Sequence, residues 1–116
     1  MAKLVIDDTR VLLPSAKAEG WVLLRNGEAL PPWVDNNGWP DAIAFDYDLE
    51  MGGGTWDGGR IARWLRSEFE QLGKPVDAFP YWDVHSRNPA NNEEVEQILA
   101  RYAPSRCRNL APVRRS

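Results

Sequence analysis

Apolar residues fall in short clusters along the first part of the chain, and a polar residue closes each one. Leu4-Val5-Ile6 runs into Asp7-Asp8, Trp21-Val22-Leu23-Leu24 into Arg25, and Ala42-Ile43-Ala44-Phe45 into Asp46. Runs this short suit buried strands, so strands are predicted over residues 3–7, 21–25 and 42–46. Thr9-Arg10 leaves the first strand, and Asn26-Gly27 stops the second. A fourth strand is predicted over residues 79–84, with Pro80 near its start, where a missing amide donor is tolerated. His85 to Pro89 then forms its exit loop. A different spacing follows the third strand. Ile61, Trp64, Leu65, Phe69 and Leu72 recur at steps of three and four, which predicts a helix ended by Gly73. Val95, Ile98, Leu99 and Tyr102 predict a last helix, capped by Asn91 with Glu94 at the capping-box position.

Three segments are less regular. Residues 14–20 form a short connector of weakly helical composition. Over residues 28–40, Pro31-Pro32 can begin a helix but not continue one, so a short helix or irregular turn is expected, ending near Asn36-Asn37-Gly38. Residues 51–59 hold five glycines, which predicts a flexible loop or a close approach of backbone to ligand. Strands alternating with helix-sized segments imply a parallel sheet with helices packed on its faces. One domain over residues 1–103 is expected, followed by an arginine-rich tail or edge element over 104–116, which holds four arginines and two prolines.

Composition narrows the picture. With 116 residues, 43% hydrophobic and 27% charged, the chain has the makeup of a single globular domain. Its one cysteine, Cys107, excludes an internal disulfide framework and a four-cysteine zinc site, which suits a reducing cytoplasm. No apolar run exceeds four residues and Met1 leads into a strand-like run, so neither a membrane span nor a signal peptide is expected. Charge is unevenly spread. Residues 1–58 hold four basic and ten acidic side chains, and residues 59–116 hold ten basic and seven acidic. An acidic first half disfavours a nucleic-acid platform, which should be basic where it meets phosphate.

In a parallel sheet with right-handed crossovers, every strand ends on one edge, and ligands bind there. Asp7-Asp8, Asp46 with Asp48, and His85-Ser86 all fall at predicted strand ends. Neighbouring strands lie about 5 Å apart, so these carboxylates should crowd one space. Like charges raise each other's pKa, and a divalent cation removes that penalty. Carboxylate oxygens suit Mg2+ or Mn2+ rather than zinc. His85, the single histidine, would then be a proton donor or acceptor. Ser86, Arg10 and Arg87 would contact a phosphate. Each piece also has a plain structural reading: a turn, a helix cap, an exposed charge. Trp21, Trp64 and Trp82 belong to the core by default, while Trp33, Trp39 and Trp56 lie in loop-like segments, where one could stack on a base.

The acidic pair after strand one, the Asp ending strand three and Asp57-Gly58 before the next helix resemble the receiver domains of two-component signalling. That resemblance implies magnesium on Asp7 and Asp8, a phosphoryl acceptor at Asp46 and a small hydroxyl at Ser86. Receivers, however, have a full first helix and a lysine after strand five, and this chain has no lysine beyond Lys74. The strings LVIDDTR, Gly20-Trp21 with Arg25, IAFDYDL, the glycine stretch leading to ARWL, and VHSRNP are more similar to the receiver-derived cyclic-phosphate-processing family. Tyr47 stands where that family usually has histidine. The resemblance implies a small three-layer, doubly wound α/β fold, a degenerate receiver- or flavodoxin-like sheet of four or five parallel strands in the order 2-1-3-4.

It also implies a divalent-metal pocket of Asp7, Asp8, Asp46 and Asp48. His85, Asp46 and Ser86 would do the chemistry, and Arg10, Arg87 and Asn88 would hold a cyclic or phosphorylated nucleotide. A metal-dependent phosphoesterase acting on cyclic phosphates is the leading expectation. The alternative is an inactive pseudo-receiver that docks on a protein partner, as a phage or mobile-element protein acting on a host enzyme would. A third reading, a magnesium-dependent nucleic-acid enzyme with a D-x-D strand end, lacks the usual strand-one glutamate.

Overall fold

The computed structural model describes residues 2–102 and 113–115. Four parallel strands form the central sheet: β1 (Lys3–Ile6), β3 (Trp21–Leu24), β4 (Ala42–Asp46) and β5 (Tyr81–His85). Their order is β3-β1-β4-β5, which, counting sheet strands along the chain, is the expected 2-1-3-4. Around the sheet lie α1 (Pro14–Ala18), α2 (Leu30–Asn37), α3 (Gly58–Leu72) and α4 (Pro89–Ile98). The fold is a receiver- or flavodoxin-like α/β sandwich.

Side chains alternate across the sheet and build two unequal cores. One face carries Leu4, Ile6, Ile43, Phe45, Trp82 and Val84, packed under Leu30 of α2, Ile61, Leu65 and Phe69 of α3, and Val95 of α4. The other carries Val5, Trp21, Ala42 and Ala44, covered by Ala16 of α1. The large α3 is amphipathic as its spacing requires: Asp57 caps it by accepting from Arg60 N, and Gly73 ends it at φ +66°.

Several details depart from the sequence expectations. The fourth strand starts at Tyr81, beyond Pro80, and includes His85, so the histidine sits on the sheet rather than in the exit loop. The last helix is capped by Asn88, whose Oδ1 accepts from Ala90 N at 3.0 Å, and not by Asn91. Pro89 explains the shift: its fixed φ and missing N–H favour the first helical position. The segment after Asp7 does not simply leave the strand. Arg10–Leu12 forms β2, which pairs antiparallel with β6 (Val113–Arg115), joining Arg10 to Arg115 and Leu12 to Val113. The end of the chain is therefore an element of a separate two-stranded sheet, while residues 104–112 lie outside the described residues.

Trp33 belongs to α2 and packs against the larger core. Trp39 stacks on Trp64 and meets Phe69 edge-on. Trp56 lies under the Arg60 guanidinium, 5.0 Å from its ring centre. Among the described residues no helix is long and apolar enough to cross a membrane.

Candidate functional site

Register decides what meets at the carboxyl edge. Ile6 pairs with Phe45, and Asp46 pairs with His85. Asp7, one residue past Ile6, donates its amide to Leu24 O at 3.0 Å and so continues β1 level with Asp46. Asp7, Asp46 and His85 therefore form one row across β1, β4 and β5. They share the parity of Val5, Ala44 and Asp83, which puts them on the thinly covered face. Two adjoining concavities open there. The inner, about 310 Å3, is lined among others by Val5, Asp7, Arg10, Ala44, Asp46 and His85. The outer, about 210 Å3, is lined by Asp8, Thr9, Arg10, Asp46, Asp48, His85, Ser86 and Arg87.

Asp7 is 2% exposed, and its Oδ1 accepts from Thr9 N at 3.0 Å and Arg10 N at 2.9 Å. This turn aims the Arg10 side chain back over the row. One Arg10 nitrogen lies 3.7 Å from Asp7 Oδ2 and another 3.2 Å from His85 Nε2. A guanidinium only donates, so in this contact His85 Nε2 is the acceptor. Asp8 Oδ2 accepts from Met51 N at 2.9 Å, tying the glycine-rich segment to the site.

Each of Asp7, Asp8 and Asp46 offers an oxygen within 4.8 Å of the other two. Burial, then the Asp7 charge, pushes Asp46 from its usual 3.8 up to about 7; Arg10 opposes this, and Asp8 and Asp48 add to it. Burial and crowded like charge therefore outweigh the single guanidinium of Arg10. Three hard oxygen donors short of countercharge fit a divalent cation of the Mg2+ class. Asp48 is exposed at the rim, outside that set of three.

Ser86 and Asn88 are partly engaged in local structure. Ser86 Oγ accepts from Asn88 N at 3.1 Å and from Asn91 Nδ2 at 3.3 Å, leaving its own hydroxyl hydrogen to donate. Asn88 gives its oxygen to the α4 cap and lines neither concavity. Tyr47 points the other way, into the larger core, and donates from its hydroxyl to Glu94 Oε2 at 2.8 Å. Burial, reinforced by that bond, pushes its phenol up to about 12. Glu94 is thus a partner for Tyr47 and not part of a capping box.

The glycine-rich stretch makes its close approach to protein backbone. A Cβ on Gly58 would stand 2.7 Å from Tyr47 Cα, and Gly58 N donates to Tyr47 O at 2.8 Å. Glu28 holds the preceding residues by accepting from Thr55 N and Trp56 N, and these amides, Thr55 foremost, keep its carboxyl below the usual range.

Sequence reasoning did not assign Arg25 a role at the site. Its Nη1 donates to Arg10 O at 2.6 Å and Asp7 O at 3.3 Å, clamping the turn that carries both. Its position just past a strand end, on the same edge as the acidic residues, was the available signal.

A solved structure, a fusion carrying a yeast Spc42 trimeric coiled-coil segment (amino acids 181–211), shares this fold. Its TM-score is 0.55 at 18% identity, over 95% of this chain and 74% of that one. No curated protein matches the chain. The family model for the cyclic-phosphate processing receiver domain matches residues 2–101. With the fold, the acidic strand ends and the histidine beside them in place, the chain belongs to the cyclic-phosphate processing receiver domain family.

Proposed function

We propose that this domain is a metal-dependent phosphoesterase that opens the cyclic phosphate of a nucleotide. The observation that carries the reading is the row Asp7, Asp46 and His85 on one face, with Asp8 completing three mutually close carboxylates. Asp7, Asp8 and Asp46 would hold Mg2+ or Mn2+, with Asp48 adding negative charge at the rim. The ion would polarise a phosphoryl oxygen and neutralise developing charge.

The chain's own groups supply the rest. His85 presents Nε2 as an acceptor once its bond to Arg10 opens, which suits it to take a proton from the attacking water. The water oxygen bonds to phosphorus as one ring P–O bond breaks, and the leaving alkoxide takes the proton back from the imidazolium. Arg10 and Arg87 face the phosphate from the outer concavity, and the Ser86 hydroxyl hydrogen adds a neutral donor.

Hydrolysis of a panel of nucleoside 2′,3′- and 3′,5′-cyclic phosphates with Mg2+ tests the reading. Turnover should vanish with chelator and fall about 100-fold or more in His85→Ala. Full activity in that variant would remove His85 from the mechanism. The second reading, docking on a protein partner without turnover, draws on Met51, which is 77% exposed on the segment bonded to Asp8. Metal-independent capture of one protein, with no hydrolysis of any cyclic phosphate, would favour it.

A further inference from the structure

Arg10 occupies the position that both a cation and an anion would claim. Its guanidinium bridges Asp7 Oδ2 at 3.7 Å and His85 Nε2 at 3.2 Å, so it supplies positive charge to the acidic row while blocking the nitrogen that chemistry at His85 would need. Its backbone is fixed: the Arg10 carbonyl accepts from Arg25 Nη1 at 2.6 Å, and Arg10 pairs with Arg115 in the β2–β6 ladder. The side chain, 27% exposed, is the part free to swing.

We propose that Arg10 is a displaceable internal counter-ion: a divalent cation takes its place at Asp7, and the freed guanidinium moves to the phosphoanion, so that metal binds first and oxyanion second. This deepens, and rests on, the reading of the acidic row as a metal site. The physical basis is competition. Two cations cannot both be close to Asp7 Oδ2 without repelling each other, so the entering ion weakens the Arg10 contact. A guanidinium that loses its carboxylate in a partly dry site needs another anion, and a phosphate accepts its fork bidentately. The same movement uncovers His85 Nε2 only when both ligands are in place. Such an order would protect the site from idle proton exchange in the empty state.

Calorimetry with Mg2+ alone, and then with inorganic phosphate, tests the order in the wild-type chain, Arg10→Gln and Arg10→Lys. Arg10→Gln should bind Mg2+ several-fold more tightly than wild type, with Arg10→Lys in between. Phosphate should bind the wild type at least tenfold more tightly with Mg2+ than without, and Arg10→Gln should show a clearly smaller gain, the part due to the ion alone. Because the chain has one histidine, its ring nitrogens can be read directly by 15N NMR near pH ~8, where an ordinary imidazole is neutral. In the wild type, Nε2 should be the acceptor nitrogen and should shift when Mg2+ and phosphate are added together. This readout decides the question even if the Arg10 variants fold poorly. Equal Mg2+ affinity in wild type and Arg10→Gln, or an unmoved His85 Nε2 in the loaded wild type, overturns the handover and leaves the metal site standing. Absence of Mg2+ binding in both chains overturns the handover and the metal site together.

Discussion

The two faces of the sheet are built from neighbouring residues of the same strands, yet they do different work. On one face Phe45, Ile43 and Trp82 lie under three helices and are sealed from solvent. On the other, Ala42, Ala44 and Val5 are small, α1 covers them with five residues, and the row ends in Asp7, Asp46 and His85. The heavily packed face holds the strands in register; the thin face uses that register to hold charges that repel. A charged row of this kind needs a rigid support it does not itself provide.

Substitutions can break the comparison, and the largest effect belongs to the packed face. Phe45→Ala should lose about 4 kcal/mol in urea unfolding, whereas Val5→Ala on the thin face should lose about 1.5 kcal/mol. Equal losses would mean that the thin face carries as much of the fold as the thick one.

The next effect has the opposite sign. Asp46 binds its proton up to about 7 in the folded chain against the usual 3.8. Between those values the folded state holds more protons than the unfolded, so stability falls as pH rises through that window and is level above it. Asp46→Asn should therefore stabilise the metal-free chain above neutral pH by roughly 2 kcal/mol, after discounting for solvent screening, and flatten that slope. Thermal melts across the window in chelator check both, and a destabilised variant would contradict the charge-crowding account.

Asn88→Ala should lower stability by about 1 kcal/mol through the α4 cap. Comparing its phosphate affinity with wild type tells whether its amide also serves the ligand. Smallest is Tyr47→Phe, which removes one bond to Glu94 on the packed side, for about 0.5 kcal/mol. Its Mg2+ affinity should equal that of the wild type, since Tyr47 does not face the row. A changed affinity would place position 47 in the site after all.

Much of this molecule is written in local pattern. The strand over Ala42–Asp46 and the helix ended by Gly73 follow from spacing and a glycine that accepts positive φ. The gathering of Asp7, Asp8, Asp46 and His85 at one edge follows from right-handed connection between parallel strands, while the order of strands follows from the resemblance to receiver-like domains. Other features were illegible for identifiable reasons. β2 is three residues long, and its partner lies about a hundred positions away, so no local signal marks it. Asn91 and Asn88 are both competent caps by residue type, and Pro89, whose fixed φ suits the first helical position, selects Asn88.

The sequence by itself determined the elements, the carboxyl edge and the chemical types that reach it, because those depend on periodicity and handedness. The tertiary structure alone decided that Tyr47 faces the core while Asp46 faces the site, that Arg10 rests between Asp7 and His85, and that Arg25 clamps the turn beneath them. Those outcomes depend on strand register and on side chains meeting across dozens of residues. A one-residue slip in pairing would reverse every one of them.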